Sequence, residues 1–326
     1  MKALVTGGHG FIGSFLVEKL LKENFSVRCL VRKTSDLRWI KDLPVELITG
    51  DITESQTLPH AVEGVDYIYH IAGAIKGTTR EKFFSTNCQG TLNLAEVSQK
   101  YNPNLKRFIF TSSIAATGPT SGTQKPTEDT PCHPVSNYGQ SKWEAEKLLK
   151  EKFPTLPLTI IRPPIVYGPR DENFLKFFQF AKRGFFPVPP PYERYYSIVY
   201  VKDLVEGIYT ASQAEVAKGK IYFIANPEFY SFESMARHLS RPFKKEPRFF
   251  YVPYWGVRFL ALLGDLYVYV TKKETMLTTK KVPEIMASSW ICSSEKAWRD
   301  FHFKTQVPLS QGMEETVQWL KEHRYL

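Results

Sequence analysis

Cysteine is scarce in this chain of 326 residues, and the four present, Cys29, Cys88, Cys132 and Cys292, stand far apart. Such spacing argues against a disulfide framework or a zinc site and suits reduced packing residues in a cytosolic protein. No metal is expected, and the cytoplasm is the expected compartment. The sequence also lacks an uncharged apolar run of about twenty residues, the length a spanning helix needs. No charged start precedes a long apolar run at the N-terminus, where residues 1–6 read as a strand, so no secretory leader is expected. There is no internal repeat and no low-complexity segment. Acidic residues are outnumbered, 33 Asp and Glu against 43 Lys and Arg, for a net charge of +10. A balance of this kind favours anionic partners. The cations are nevertheless spread along the chain, with no basic run of five or more, so nucleic acid is not an expected partner. Cofactor phosphates account for part of the bias. A hydrophobic content of 43% excludes disorder as the default, and the length supports one large or two modest domains.

What the first half contains is alternation. Short apolar runs at 2–6, 27–31, 45–49, 65–70, 107–111 and 158–162 read as strands. Stretches with helical apolar spacing at 11–23, 83–101 and 138–153 read as helices between them. Strands alternating with helices imply an α/β protein with a Rossmann-type, doubly wound parallel sheet. The second half is punctuated by Pro163, Pro164, Pro169, Pro187, Pro189, Pro190 and Pro191. Its long loops are of the kind that carry substrate contacts on a rigid scaffold. Strands at 197–201 and 220–225 are expected to return to the main sheet, and helices are expected at 231–239, 280–288 and 310–323. The expected division is a dinucleotide-binding Rossmann domain of residues 1–165 plus about 197–229. A smaller C-terminal substrate-binding domain takes about 166–196 plus 230–326, with the cleft between the two.

Thr6-Gly7-Gly8-His9-Gly10-Phe11-Ile12-Gly13 follows the first strand and opens the first helix. Gly8, Gly10 and Gly13 match G-x-G-x-x-G, and Gly7, Gly10 and Gly13 match the G-x-x-G-x-x-G variant. Such glycines allow a tight turn, close approach of backbone to a pyrophosphate and close helix–strand packing, while the helix N-terminus presents free N–H groups to the phosphates. An acid that would bind the ribose hydroxyls is expected about twenty residues beyond the loop. That stretch reads Val31-Arg32-Lys33-Thr34-Ser35, with no acid until Asp36. Two cations and two hydroxyls suit a 2′-phosphate, so NADP is favoured over NAD, with Arg32 first and Lys33 and Ser35 assisting.

Tyr138 and Lys142 stand four residues apart at the start of an expected helix, and Ser113 lies twenty-five residues upstream of the tyrosine. At this spacing both side chains share one helix face. An ammonium near a phenol favours the phenolate, and a phenol so tuned exchanges protons near neutral pH.

Taken together, these residues resemble the extended short-chain dehydrogenase/reductase family, in its NAD-dependent epimerase/dehydratase branch. The glycine loop, Asp51-Ile52, His70-Ile71-Ala72-Gly73, Asn87, Thr111-Ser112-Ser113 and Tyr138 with Lys142 all have counterparts there. So do Arg162-Pro163-Pro164-Ile165-Val166-Tyr167-Gly168-Pro169 and Val201-Lys202-Asp203-Leu204. The resemblance implies hydride transfer between a nicotinamide and a carbon bearing a hydroxyl or carbonyl, on a sugar, sterol/isoprenoid or flavonoid-like substrate. Tyr138 would move the oxygen's proton, Ser113 would hydrogen-bond the same oxygen, and Lys142 would tune the tyrosine and bind the ribose. Asn87 would take a lesser catalytic or positioning part. Gly7, Gly10, Phe11, Ile12 and Gly13, together with Asp51, Ile52, Ala72 and Pro164, would contact the cofactor. Arg170 and Arg194, in the expected substrate loops, would meet an anionic group. Residues 31–35 look like those of the dihydroflavonol-reductase and hopanoid-associated epimerase-like branches. Ala116-Thr117-Gly118 stands where a sugar epimerase ends in V-Y-G, and Ile114-Ala115 where a dehydratase carries Asp-Glu. A nucleotide-sugar epimerase or dehydratase is therefore the alternative enzyme, and a non-catalytic NADP-binding sensor the alternative outside catalysis. Family members pair through the two helices expected at 83–101 and 138–153, which implies a homodimer.

One segment stays outside this scheme. Residues 249–270 are rich in large apolar side chains, interrupted by Arg258 and Asp265 and flanked by Lys244, Lys245, Arg248, Lys272 and Lys273. The plainer expectation is an amphipathic helix covering the substrate domain. The sharper one is an interfacial helix that makes a weak membrane-surface contact and places the protein peripherally at a membrane.

Overall fold

A computed structural model describes residues 1–77, 79–271, 275 and 277–326. Seven strands form its central sheet: β1 (Lys2–Thr6), β2 (Ser26–Val31), β3 (Val45–Thr49), β4 (Tyr67–His70), β5 (Arg107–Thr111), β6 (Leu158–Arg162) and, from the second half, Ile221–Phe223. Their order is Ile221–Phe223, β6, β5, β4, β1, β2, β3, and every neighbouring pair is parallel. The chain winds outward in both directions from the junction of β1 and β4, which opens a crevice beyond the strands' C-terminal ends. This is a Rossmann-like α/β fold.

The central strands β1, β4, β5 and β6 read as largely apolar runs because both faces are covered, whereas β3 at the edge is mostly exposed. On one face Ala3, Val5, Tyr69 and Ile109 pack with Phe15, Leu16 and Leu20 of α1 (Phe11–Lys22). On the other, Leu4, Ile68, Phe108 and Phe110 pack with Leu92 and Ala95 of α2 (Gly90–Tyr101) and Ala145 and Leu149 of α3 (Asn137–Lys152). Each such Leu or Phe, fully buried, contributes on the order of 1.5–3 kcal/mol. The helix expected over 83–101 begins differently: Phe84–Gln89 forms a π-helical turn ahead of α2.

Beyond β6, the strands Ile165–Tyr167 (β7), Tyr195–Tyr200 (β9), Phe229–Ser231 and Ser289–Trp290 make a second sheet around β9. The expectation that 197–201 returns to the main sheet is therefore corrected; only Ile221–Phe223 does so. A buried apolar run carries no label for the sheet that buries it. Phe185–Val188 (β8) pairs in parallel with Arg248–Tyr251, and the helices Leu175–Arg183, Phe232–Ser240 and Leu309–Glu322 complete this half. Of the helix expected over 280–288, only a turn at Thr279–Lys281 and a four-residue piece, Val282–Ile285, form.

Residues Tyr254–Thr271 form one helix, α4. It does not cover the substrate domain with its bulky side chains, as the plainer expectation had it. Gly256, Val257 and Ala261 are its buried residues, and most of its large apolar side chains point outward. Among the described residues no helix is long and apolar enough to cross a membrane. Lys272 and Lys273, expected to flank this segment, lie outside the described residues.

Candidate active site

The glycine loop is shaped by contacts that exclude side chains. Gly7 has φ +72°, and a Cβ there would stand 2.7 Å from the Ala72 nitrogen. A Cβ at Gly13 would collide with the Gly7 carbonyl oxygen. Gly10 donates its N–H to that oxygen at 3.0 Å and accepts from the Ser14 N–H at 2.9 Å, which starts α1. No side chain caps α1 and its first turn holds no acid. The N–H groups of the first turn have no intrahelical acceptor and sit at the positive end of the helix dipole. This cradle fits a pyrophosphate.

Arg32, Lys33 and Ser35 follow β2 at the rim of the same loop. Arg32 and Lys33 are exposed, and the Arg32 N–H donates to Ser35 Oγ at 3.0 Å. His9 in the loop is held below its ordinary range, by burial first and then by the Arg32 charge. Asp51 Oδ1 accepts from the Thr53 N–H at 2.9 Å and hydroxyl at 2.8 Å. Ile52 is buried, its side chain packed beneath Gly90. His70 is buried between Thr6 Oγ1 at 2.7 Å and Thr91 Oγ1 at 2.9 Å. Burial holds it neutral, down to about 3, which makes it a packing residue.

Ser113, Tyr138 and Lys142 converge on one cavity of about 370 Å³, which Phe11, Ile12 and Pro164 also line. Two local devices bring them together. Ser136 Oγ caps α3 by accepting the Gly139 N–H at 3.1 Å. Gly139 lies against the turn that follows Ser113, so close that a Cβ would strike the Ala115 carbonyl oxygen. The tyrosine that begins α3 is thereby held next to Ser113.

The electrostatics differ from the sequence expectation. Burial pushes the Tyr138 phenol up to about 12, Ser113 pulls it down by hydrogen bonding, and the Glu284 charge raises it. Lys142 is not among the groups acting on it. Its Nζ donates to the Thr111 carbonyl at 2.8 Å and lies 4.8 Å from the Phe110 ring centroid. Burial lowers this ammonium to about 8, with Glu146 opposing. Glu146 is itself buried against Arg162, whose Nε donates at 2.9 and 3.2 Å to its two oxygens.

Asn87, expected beside the catalytic groups, is a positioning residue. Its Oδ1 accepts the Ala74 N–H at 2.7 Å, and its Nδ2 donates to Ala74 O and Ser141 Oγ, both at 3.0 Å. It ties the loop after β4 to α3 and sits in the π-helical turn. Arg170 and Arg194, expected to meet substrate, are committed elsewhere. Arg170 bonds Ser14 Oγ at 3.0 Å and Glu18 at 2.6 Å and stacks over Phe15. Arg194 is buried, donating to the carbonyls of Pro189, Pro191 and Ile285.

Sequence reasoning missed the far wall of the cavity. Asp171, Phe174, Phe177, Tyr196, Phe232 and Met235 line it. Asp171 is buried, and burial raises its carboxyl to about 6. Thr111 Oγ1 and Ser112 Oγ are buried in the same lining without a hydrogen-bond partner among the described residues. Phe174 and Phe177 stand three residues apart at the start of one helix, and Phe232 and Met235 three apart on another, but nothing in the sequence joins these two segments to each other or to Tyr196. A second, wider cleft of about 820 Å³ shares Ile75, Tyr138 and Asn173 with the first and extends past Glu284 to Asp265, Val268 and Tyr269 of α4.

The model of the NAD dependent epimerase/dehydratase family matches residues 3–225, and the chain belongs to that family, a group of enzymes of the extended short-chain dehydrogenase/reductase class. The chain is 27% identical over 324 residues to the ceramide reductase of Caulobacter vibrioides, covering 99% of this chain and 95% of that one. It is 26% identical over 327 residues to the N-acetyl-alpha-D-glucosaminyl-diphospho-ditrans,octacis-undecaprenol 4-epimerase of Escherichia coli O157:H7, covering 97% and 94%. Among solved structures, the crystal structure of gox2253 superposes with a TM-score of 0.81 at 25% identity, covering 98% of each chain.

Proposed function

We propose that this enzyme transfers hydride between NADP and a carbon bearing a hydroxyl or carbonyl on a lipid-like substrate, with Ser113, Tyr138 and Lys142 handling the oxygen's proton. The observation that carries this reading is the convergence of those three side chains on one cavity with an apolar, aromatic far wall. Two relatives with names that denote a ceramide and an undecaprenol-linked sugar support the lipid-like class. Arg170 and Arg194 are held by other groups and do not line the cavity of about 370 Å³.

The first-turn N–H groups of α1, with Gly7, Gly10 and Gly13, would hold the pyrophosphate. Arg32, Lys33 and Ser35 would hold a 2′-phosphate, and Asp51 and Ala72 would border the adenosine half. The nicotinamide, when bound, supplies or accepts the hydride. At neutral pH a phenol raised to about 12 keeps its proton, so Tyr138 is poised to donate it to a substrate oxygen that gains negative charge. Ser113 shares that oxygen by hydrogen bonding. The Lys142 ammonium, fixed by the Thr111 carbonyl in the same cavity lining, would hold the nicotinamide ribose. Apolar walls exclude water and strengthen each of these interactions.

Two measurements test the reading. Titration with NADPH and NADH should show tighter NADPH binding that Arg32→Ala reduces by about tenfold or more, as expected for loss of a charge-assisted contact. Equal affinities in wild type and Arg32→Ala would exclude the NADP assignment. Tyr138→Phe should lower turnover by orders of magnitude at nearly unchanged cofactor affinity, and full activity in it would sink the mechanism.

A further inference from the structure

Helix α4 is inside out for a surface helix. Its buried side is made of small residues, Gly256, Val257 and Ala261. Its outer side carries Trp255, Phe259, Leu262, Leu263, Leu266 and Val270, with Trp255 73% and Val270 69% exposed. Arg258 lies on the same exposed side. Asp265 is turned to accept the Thr279 hydroxyl at 2.5 Å. The patch continues into the preceding strand, where exposed Phe250 stacks on exposed Phe185, ring centroids 6.0 Å apart. Single exposed apolar residues are ordinary, but a contiguous patch of this kind marks an interaction site.

Charge says what covers it. Immediately before that strand, Arg237, Arg241, Lys244 and Lys245 line an open groove with one acid, Glu246. A second copy of the chain would offer this basic rim only the same face in return, whose groove holds a single acid, Glu246. An anionic bilayer complements both parts, taking the Trp, Phe and Leu side chains into its interface and the lysines and arginines at its headgroups. Arg258, lying 5.9 Å from the Tyr254 ring centroid, is long enough to lay its stem on the apolar face and keep its charge at headgroup level.

We infer that the outer face of α4, with Arg248–Tyr251 and the basic groove beside it, docks this enzyme on a membrane surface rich in anionic lipid. The wide cleft that ends at Asp265, Val268 and Tyr269 of this helix runs to Tyr138. Docking would set its mouth at the bilayer, so that a lipid reaches the site without crossing water. This last point rests on the proposed function, whereas the docking surface does not.

The test is co-flotation of the full chain with phosphatidylcholine vesicles, with and without phosphatidylglycerol, for wild type, Leu262→Glu/Leu266→Glu and Lys244→Glu/Lys245→Glu. All four positions are exposed, so the variants should keep the wild-type unfolding temperature. Wild type should float with the anionic vesicles and be released by salt. The leucine variant should bind them about a hundredfold more weakly, roughly tenfold per large apolar side chain withdrawn. The lysine variant should lose the preference for anionic lipid. NADPH affinity should be unchanged in both, which separates failure of docking from failure of the cofactor reading. Absence of flotation with either vesicle, or undiminished binding by the leucine variant, would overturn the inference. So would a stable dimer of wild type that the leucine variant breaks, because a second copy would then cover the face.

Discussion

Replacing Glu146 by Gln should expose how the lysine of the site is kept charged. Glu146 lies one turn beyond Lys142 on α3, and both it and Arg162 have side chains only 3% exposed. The substitution keeps volume and removes charge, leaving a buried guanidinium facing an amide. Breaking a buried pair by removing one partner costs on the order of 3–5 kcal/mol. For a chain of 326 residues the unfolding entropy is about 0.7 kcal/mol per kelvin, so the midpoint of thermal unfolding should fall by about 4–7 °C. Glu146 is also the charge that raises Lys142 against burial, so its loss should lower that ammonium below about 8. Calorimetry reads the first effect, and NMR titration of the Lys142 side chain reads the second. A double variant, Glu146→Met/Arg162→Met, separates the two effects. It should recover most of the stability, since an apolar pair can replace a buried ion pair, yet leave Lys142 as depressed as in Glu146→Gln. An unchanged Lys142 titration in Glu146→Gln would refute the coupling, and an unfolding midpoint within about 1 °C of wild type would refute the energetic role of the pair.

Gly139→Ala should lower turnover by at least about a hundredfold, because the added carbon must push α3 away from Ala115 and a shift of about 1 Å at the reacting groups is that costly. NADPH affinity should stay within a few-fold by titration. Asp171 predicts the opposite sign of effect, a gain in stability. Its carboxyl is raised from 3.8 to about 6 by burial, so the folded state binds its proton more tightly than the unfolded state. Its favourable contribution is complete below pH about 4 and is lost as pH rises through about 6, by up to about 3 kcal/mol. Asp171→Asn should therefore unfold at a higher temperature than wild type at pH 7.5 and at about the same temperature at pH 4.

The Rossmann half was legible because most of its strands, β1, β2, β4, β5 and β6, are buried runs, and α1, α2 and α3 between them have clear period. Ile221–Phe223 could be placed for the same reason. Tyr195–Tyr200 is just as apolar, but its partners are Ile165–Tyr167, Phe229–Ser231 and Ser289–Trp290, too far along the chain for any pattern to name. For α4, composition located the helix but not the direction it faces: bulk outside and glycine and alanine inside reverse the usual inference from apolar content. Arg170 and Arg194 show a similar limit. Charge alone suggests an anion, whereas Arg194 is consumed by carbonyl oxygens and Arg170 by Glu18 and Phe15. Ser113, Tyr138 and Lys142 were readable from spacing, but Gly139, which lets the first two meet, was not. Its role is a contact with Ala115, twenty-four residues earlier, across two elements.

The central claim is that hydride passes between a nicotinamide and a lipid carbon whose oxygen Tyr138 serves. Its most direct test uses NADPH deuterated at the transferable C4 position, supplied to wild type and Tyr138→Phe with a membrane lipid extract. Mass spectrometry should find one deuterium in a lipid product with wild type and none above background with Tyr138→Phe at saturating cofactor. Tight NADPH binding without label transfer in wild type, or equal transfer by Tyr138→Phe, would contradict the account.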